Sequence, residues 1–440
     1  MKTVRMQIWR IAGVTAMICA CTQVASQNAP DFSRLSDGVR VIQTREPNGG
    51  PLAIAAFVRQ PSAQSASGEA IREEVNSALF FGSTHLSYDA ALEAAGKVGG
   101  LQTIQSPDWV CIYCITSQSN YRDAIYLICE SIKNADFNPD ALEKARTQLI
   151  RSREARTADP FLSAYDSVTG AITGRFSPDS VQLRHVTQQQ AAEYHRKVFL
   201  PSNTVFCVCG ASDQTGVRKC LDNNLFDYEP PVGAKITVGV NPHGSVSSEP
   251  KMLTLTAPPA TGAVSYAVVS VQTPPISDPD YPAFVVLTTV FGGGHASRMF
   301  QKIREKAGIG YEVGASCQMD QQDPMVAYVE WRSAASPTHS QVLAQIHAAI
   351  DSLSDPKFEV TEAELARAKA FARSQFQIRH ERLFDRMFLP GMFEAIGVGY
   401  AFDTALPARI LAVTQSDLKR VAANFLGVRC SLSVISGAVP

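Results

Sequence analysis

Residues Phe291 to Val313 read FGGGHASRMFQKIREKAGIGYEV and bring together several groups that can act on a bound polar chain. Gly292, Gly293 and Gly294 stand in series, where the missing Cβ permits positive φ and close approach of a second backbone. The helix that follows opens with free N–H groups, a natural anion site. Arg304 and Tyr311 come next, seven residues apart. A guanidinium and a phenol hydroxyl aimed at one carbonyl stabilise the negative charge that develops there at a tetrahedral step, and the guanidinium can also clamp backbone carbonyls. A plainer alternative stands beside this: Arg304 pairs with Glu305 or Glu312 on the surface, and Tyr311 merely opens a strand. The glycines form neither G-x-G-x-x-G nor G-K-[ST], so they are not expected to cradle a nucleotide. A tight turn is the alternative to contact with substrate.

Two other polar stretches invite chemical readings. In IREEVNSALFF, Glu73, Glu74 and Asn76 share a helix, but carboxylates without an imidazole make a poor zinc site, and their charges are expected to face solvent. None of the eight histidines stands three to five places from another in a helical stretch. The run Lys144 to Arg156, KARTQLIRSREAR, reads as a solvated helix face, with the option of steering an acidic partner surface.

The elements that must position these groups occur twice. Val186 to Ala211 (VTQQQAAEYHRKVFLPSNTVFCVCGA) parallels Val413 to Ala438 (VTQSDLKRVAANFLGVRCSLSVISGA). Each is a Thr-capped helix, a Phe-Leu pair, and an alternating apolar strand ending in Gly-Ala. Asn138 onward (NPDALEKARTQL) likewise parallels Val360 onward (VTEAELARAKAF). Each half opens with two strands, Gly38 to Thr44 and Leu52 to Val58 in the first, Met252 to Thr256 and Ser265 to Gln272 in the second, followed by a long helix, further strands and grouped helices. That order predicts α+β, two duplicated domains of about 200 residues, each a mainly antiparallel sheet with helices on one face. The expected boundaries are 30–230 and 248–440, joined by a Pro/Gly-rich linker at 231–247.

Phe291 to Val313 resembles the second-half signature of the insulinase/pitrilysin-type zinc peptidases, the group that includes the mitochondrial processing peptidase. In that family the first half carries H-x-x-E-H on a helix, with a further Glu about 70 to 80 residues on. Ligands at i and i+4 face one way on a helix, and the Glu between them polarises the zinc-bound water. Matching Leu79 to Thr84 to the family's L-F-x-G-T places Glu73, Asn76 and Ser77 where His, Glu and His would sit, with the third ligand near Ser152 and Glu154 two residues on, within reach of a register error. The resemblance thus implies the fold of two related domains forming half of a clam shell, with the zinc motif lost. It also implies that Arg304, Tyr311 and the Gly292–Gly294 turn approach a peptide substrate. Family members often work as pairs in which one chain bears the zinc. This chain is therefore expected to bind no cofactor itself and to supply Arg304 and Tyr311 in trans to a zinc-bearing sister peptidase subunit, which would hydrolyse peptides. The alternative is a non-enzymatic scaffold or peptide-binding subunit of a larger membrane-associated complex.

At 440 residues the chain is long enough for two or three domains, and a net charge of −1 leaves no basic stripe for nucleic acid. The first twenty residues carry Lys2, Arg5 and Arg10, then an apolar run from Ile11 to Ala20 too short to cross a bilayer, and read as an export signal. Ile18-Cys19-Ala20-Cys21 resembles a bacterial lipobox, with Cys21 as the lipidated residue that anchors the protein in the cell envelope. Cleavage after Ser26 for simple secretion, and a mitochondrial presequence, are the alternatives. Most remaining cysteines lie in apolar strand-like runs such as TVFCVCG and are expected to be buried thiols, with room for one disulfide. Cys111 and Cys114 fall in a strand and not a metal knuckle, and Cys207 and Cys209 point to one face of theirs.

Overall fold

The computed structural model describes residues 30–46, 49–175, 177–211, 213–228, 252–256, 264–317, 324–332, 337–355 and 357–435. The export signal, Cys21 and the 231–247 linker lie outside the described residues.

The first sheet contains β1 (Asp31–Arg34), β2 (Arg40–Arg45), β3 (Leu52–Arg59), β4 (Gln102–Ser106), β5 (Trp109–Thr116) and β6 (Thr204–Gly210) in the order β1-β2-β6-β3-β5-β4. The second contains β7 (Met252–Thr256), β8 (Val264–Val271), β9 (Glu312–Cys317), β10 (Met325–Arg332) and β11 (Arg429–Ile435) in the order β7-β11-β8-β10-β9. The connectivity repeats: β6 lies parallel to β2 and antiparallel to β3, and β11 lies parallel to β7 and antiparallel to β8. The first-half helices are α1 (Ala66–Ala78), α2 (Tyr88–Lys97), α3 (Tyr121–Lys133), α4 (Pro139–Ala158), α5 (Pro160–Thr173), α6 (Ser180–Arg184), α7 (Gln188–Val198) and α8 (Gln214–Leu225). Those of the second half are α9 (Tyr281–Gly292), α10 (His339–Ser354), α11 (Glu362–Arg379), α12 (Leu383–Ala395), α13 (Phe402–Ala412) and α14 (Gln415–Phe425).

The repeated segments start from the same local chemistry. Thr187 and Thr414 each cap a helix with the side-chain oxygen, and Gln190 and Asp417 return the bond to the cap's own N–H. Each reciprocal box satisfies two N–H groups that the helix cannot, fixing where α7 and α14 begin. Each helix then leads into an apolar strand, β6 or β11, inserted between strands of its own sheet.

One expectation needs correcting. Helices cover both faces of each sheet, and one layer comes from the other half. Along β3, Ile54, Ala56 and Val58 pack with Ile125, Ile128, Val217 and Leu221 of the first half. Ala53, Ala55 and Phe57 instead share a core with Met387, Phe388 and Phe393 of α12. Successive strand residues face opposite ways, so a strand buried on both faces must be apolar throughout, as LAIAAFV is. A Cβ on Gly391 would fall 2.4 Å from the Phe57 ring and 2.5 Å from Cys207 Sγ, which is why α12 carries glycine there. Ion pairs Arg386–Glu46 (2.6 Å) and Arg40–Glu394 (2.9 Å) fasten the two ends of α12 to β2 and the residue after it. In return, Ala164 and Val168 of α5 pack on Val268, Val326, Cys430 and Leu432 of the second sheet, with Phe161 against Tyr266 and Tyr328.

All eight described cysteines are free; Cys111, Cys114, Cys129, Cys207, Cys209 and Cys430 are buried. Burial pushes the Cys114 thiol up to about 11 and the Cys209 thiol up to about 12, so neither is a ready nucleophile.

Candidate functional site

Gly292, Gly293, Gly294, Arg304 and Tyr311 line one open cleft of about 800 Å³ beside β9, the edge strand of the second sheet, with Phe371 and Gln375 of α11 on the opposite wall. The segment's local conformation explains their convergence. Helix α9 is apolar on every side and buried, and its C-terminal turn runs against β9. A Cβ on Gly292 would lie 2.3 Å from the Ala315 nitrogen, so only glycine allows this approach. Gly294, at φ +79°, turns the chain away beside the Phe371 ring.

Residues Phe300–Lys306 then form a π-helical turn, in which the Ala307 N–H donates to the Lys302 carbonyl at 3.2 Å. Such wide turns recur at functional sites. The chain enters β9 through Gly310 at φ +86°. The Tyr311 N–H donates to the Glu330 carbonyl at 2.7 Å, although the strand partner of Glu330 is Glu312. Two residues therefore oppose one. This bulge interrupts the alternation of the strand and re-aims Tyr311, which is 69% exposed.

The Arg304 guanidinium lies 4.9 Å from the centre of the Phe300 ring and 5.3 Å from that of Tyr311. Among the described residues it makes no ion pair, with Glu305 and Glu312 included. Its N–H donors are free for an acceptor in the cleft. Burial, and then the carboxylates of Glu312 and Glu330, raise the phenol of Tyr328, which lines the floor as a neutral group. His295, exposed at the lip, packs on Phe300 with ring centres 4.7 Å apart. Sequence reasoning passed over His295; its place directly after three glycines was the available signal.

The first-half helix α1 has a different character. Glu69, Arg72, Glu74 and Asn76 are buried and do not face solvent, correcting the expectation for this helix. Each has a partner distant in sequence or one turn away. Arg72 donates to Glu69 at 2.9 Å and to the Ser106 carbonyl at 2.6 Å. Glu74 meets Arg146 at 2.8 Å, yet burial still pushes its carboxyl up to about 7. Glu73 is paired with Arg153. Burial raises the Glu73 carboxyl, with Arg153 and Arg72 pulling the other way. Asn76 exchanges amide bonds with Gln60 at 2.7 and 3.0 Å and reaches Gln105 of β4 at 3.3 Å. Of the basic run on α4, Arg146 and Arg153 are half-buried and committed to carboxylates, and Arg156 pairs with Asp166 at the surface, whereas Lys144 and Arg151 are exposed with no ion pair among the described residues.

The family described as Peptidase M16 inactive domain matches residues 185–371. Over 427 residues, 93% of this chain and 94% of the relative, the sequence is 24% identical to an uncharacterised zinc protease of Mycobacterium tuberculosis. The fold is similar to that of a protease from Helicobacter pylori, with a TM-score of 0.80 at 15% identity, covering 94% of this chain and all of the other. It is also similar to a chain of Complex III2 from Candida albicans, with a TM-score of 0.71 at 16% identity, covering 93% and 95%. The chain is thus similar to the M16, insulinase/pitrilysin, peptidase family over residues 185–371, and to relatives named zinc proteases over most of its length.

Zinc is implied by the names of these relatives, and α1 is where the resemblance would place it. The residues there do not fit the metal. No group of three or more His, Cys, Asp or Glu side chains poised for a metal occurs among the described residues. Glu73 already faces a cation, the Arg153 guanidinium, one residue from the expected third-ligand position at Ser152. Asn76 is a buried amide held by two other amides and cannot act as a base on water. Glu154, the other candidate, makes no ion pair among the described residues.

Proposed function

We propose that this chain is the catalytically incomplete partner subunit of a two-chain zinc peptidase, supplying Arg304 and Tyr311 to a peptide held against a zinc-bearing sister chain. The observation that carries this reading is the free guanidinium beside an exposed tyrosine in an open cleft, in a chain whose α1 residues Glu73 and Asn76 are committed to partners outside that helix. A guanidinium with free donors beside an edge strand suits the carbonyl oxygens of an extended peptide. The Gly292–Gly294 turn leaves room for that backbone to approach. Lipid at Cys21 would tether the subunit to a membrane of the cell envelope, its two or three acyl chains sufficing where one would not. No helix among the described residues is long and apolar enough to cross a membrane.

The deciding experiment is affinity capture of the full chain from its native membranes. A stoichiometric sister chain bearing H-x-x-E-H, and peptidase activity that needs both chains, is the expected result. Capture without such a chain would sink the reading. Recovery in a large assembly without peptidase activity would favour a scaffold instead, the reading suggested by the similar fold of a chain in Complex III2.

A further inference from the structure

Arg304 presents a physical puzzle. A long, charged side chain at the edge of an open cleft ordinarily either samples many rotamers in water or is held by a carboxylate. A carboxylate would order the guanidinium but occupy the N–H donors that a ligand needs. Here the side chain lies between two aromatic rings, Phe300 at 4.9 Å and Tyr311 at 5.3 Å, with no carboxylate partner among the described residues. The face of a ring attracts a guanidinium through its quadrupole and accepts none of its in-plane N–H bonds. Stacking therefore orders the group and leaves its donors available.

We propose that Phe300 is a positioning residue for Arg304: its ring, with that of Tyr311, forms a slot that holds the guanidinium ready for an acceptor in the cleft. Three features of the fold make the slot. The π-helical turn carries Phe300 and Arg304 on neighbouring turns. The Gly310–Tyr311 entry and its bulge bring the second ring to the same guanidinium. Phe300 itself is fixed, being 8% exposed and covered by the His295 ring. Tyr311 accordingly has two separable parts, a ring that orders Arg304 and a hydroxyl free to meet the ligand.

The inference about the slot stands on geometry; its consequence for peptide binding rests on the function proposed above. Both are tested on the full chain carrying ¹⁵N-arginine, with the Arg304 Nε–H signal identified by its loss in Arg304→Lys. The wild-type signal should be displaced upfield by ring currents, return toward the free-arginine position in Phe300→Leu, and recover in Phe300→Tyr. An undisplaced wild-type signal, or one indifferent to Phe300→Leu, overturns the slot. Should Phe300→Leu not fold, Tyr311→Leu removes the exposed ring instead, and an unchanged signal in that variant is equally fatal. The second readout is anisotropy of fluorescein-labelled reduced carboxymethylated lactalbumin added to the same variants. Loss of the slot should weaken binding on the order of 10-fold, with Tyr311→Phe keeping the ring shift. A ring shift that behaves as expected while Arg304→Ala leaves binding unchanged would uphold the slot and defeat the peptide reading.

Discussion

Helix α1 of the first half and the β9 cleft of the second occupy related folds and treat polar side chains in opposite ways. Around α1, Glu73 answers Arg153, Glu74 answers Arg146, Glu69 answers Arg72 and Asn76 answers Gln60. Around β9, Arg304 and Tyr311 are presented to solvent with only aromatic rings for company. The contrast matters because ionic groups taken out of water need compensation, whereas groups at an open cleft can stay uncompensated until a ligand arrives. The polarity of α1 is structural by this criterion, and that of the cleft is available for work.

The largest effect that would test this contrast is at Arg304. Arg304→Ala should lower kcat/KM of the reconstituted pair by about 100-fold, as loss of one oxyanion donor does. Thermal stability should be unchanged, and the pair should stay assembled; undiminished turnover would remove the cleft from the mechanism. Next comes Gly292→Val, which drives a side chain into the Ala315 backbone. It should cost about 1–3 kcal/mol by overpacking and weaken peptide binding as well, read by denaturant titration and anisotropy. On the α1 side, Arg153→Leu alone should cost about 1–3 kcal/mol by leaving Glu73 unpaired. Glu73→Leu with Arg153→Leu should restore most of that loss, and neither variant should alter turnover. A double variant as unstable as the single one would mean that the pair itself, and not the orphaned partner, carries the stability.

The smallest effects concern pH, where a histidine in each half works in the opposite sense. In the first half His195 is held neutral: burial lowers it to about 4 despite its bond with the Ile132 carbonyl at 2.9 Å. Its contribution is present above its ordinary 6.5 and is lost as pH falls toward 4. In the second half burial works against the His380 charge, but the Asp403 carboxylate at 2.9 Å outweighs it and the histidine is raised. That contribution is present below 6.5 and is lost as pH climbs through the raised value. Melting temperature followed against pH should therefore lose its acid limb in His195→Phe and part of its alkaline limb in His380→Gln. Unaltered limbs would show that other groups set them.

Much of the architecture could be read from residue order. The Thr187 and Thr414 caps, the strand patterns behind them and the buried pairing of Cys207 with Cys209 on one face all follow from short-range chemistry. The convergence of Gly292–Gly294, Arg304 and Tyr311 was legible because all five lie within one contiguous segment. The burial of Glu74 and Asn76 was not. IREEVNSA looks like a surface helix until Arg146 and Gln60, remote in sequence, are placed against it. The bulge that turns Tyr311 outward was equally hidden, since it depends on which residue of β10 stands opposite. The covering of each sheet by the other half's helix escaped notice because an apolar helix face does not say which sheet it will meet.

That exchange of helices has a consequence for how the protein is made. The inner face of the first sheet, Phe57 included, waits for α12, whose residues leave the ribosome more than three hundred positions later. Until then the nascent chain carries a bare apolar sheet, and its completion rests on contacts of very long sequence separation, the slow and aggregation-exposed kind. Cutting the chain between its halves would leave two fragments, each missing the lid that the other holds. They should accumulate in soluble form only when synthesised together.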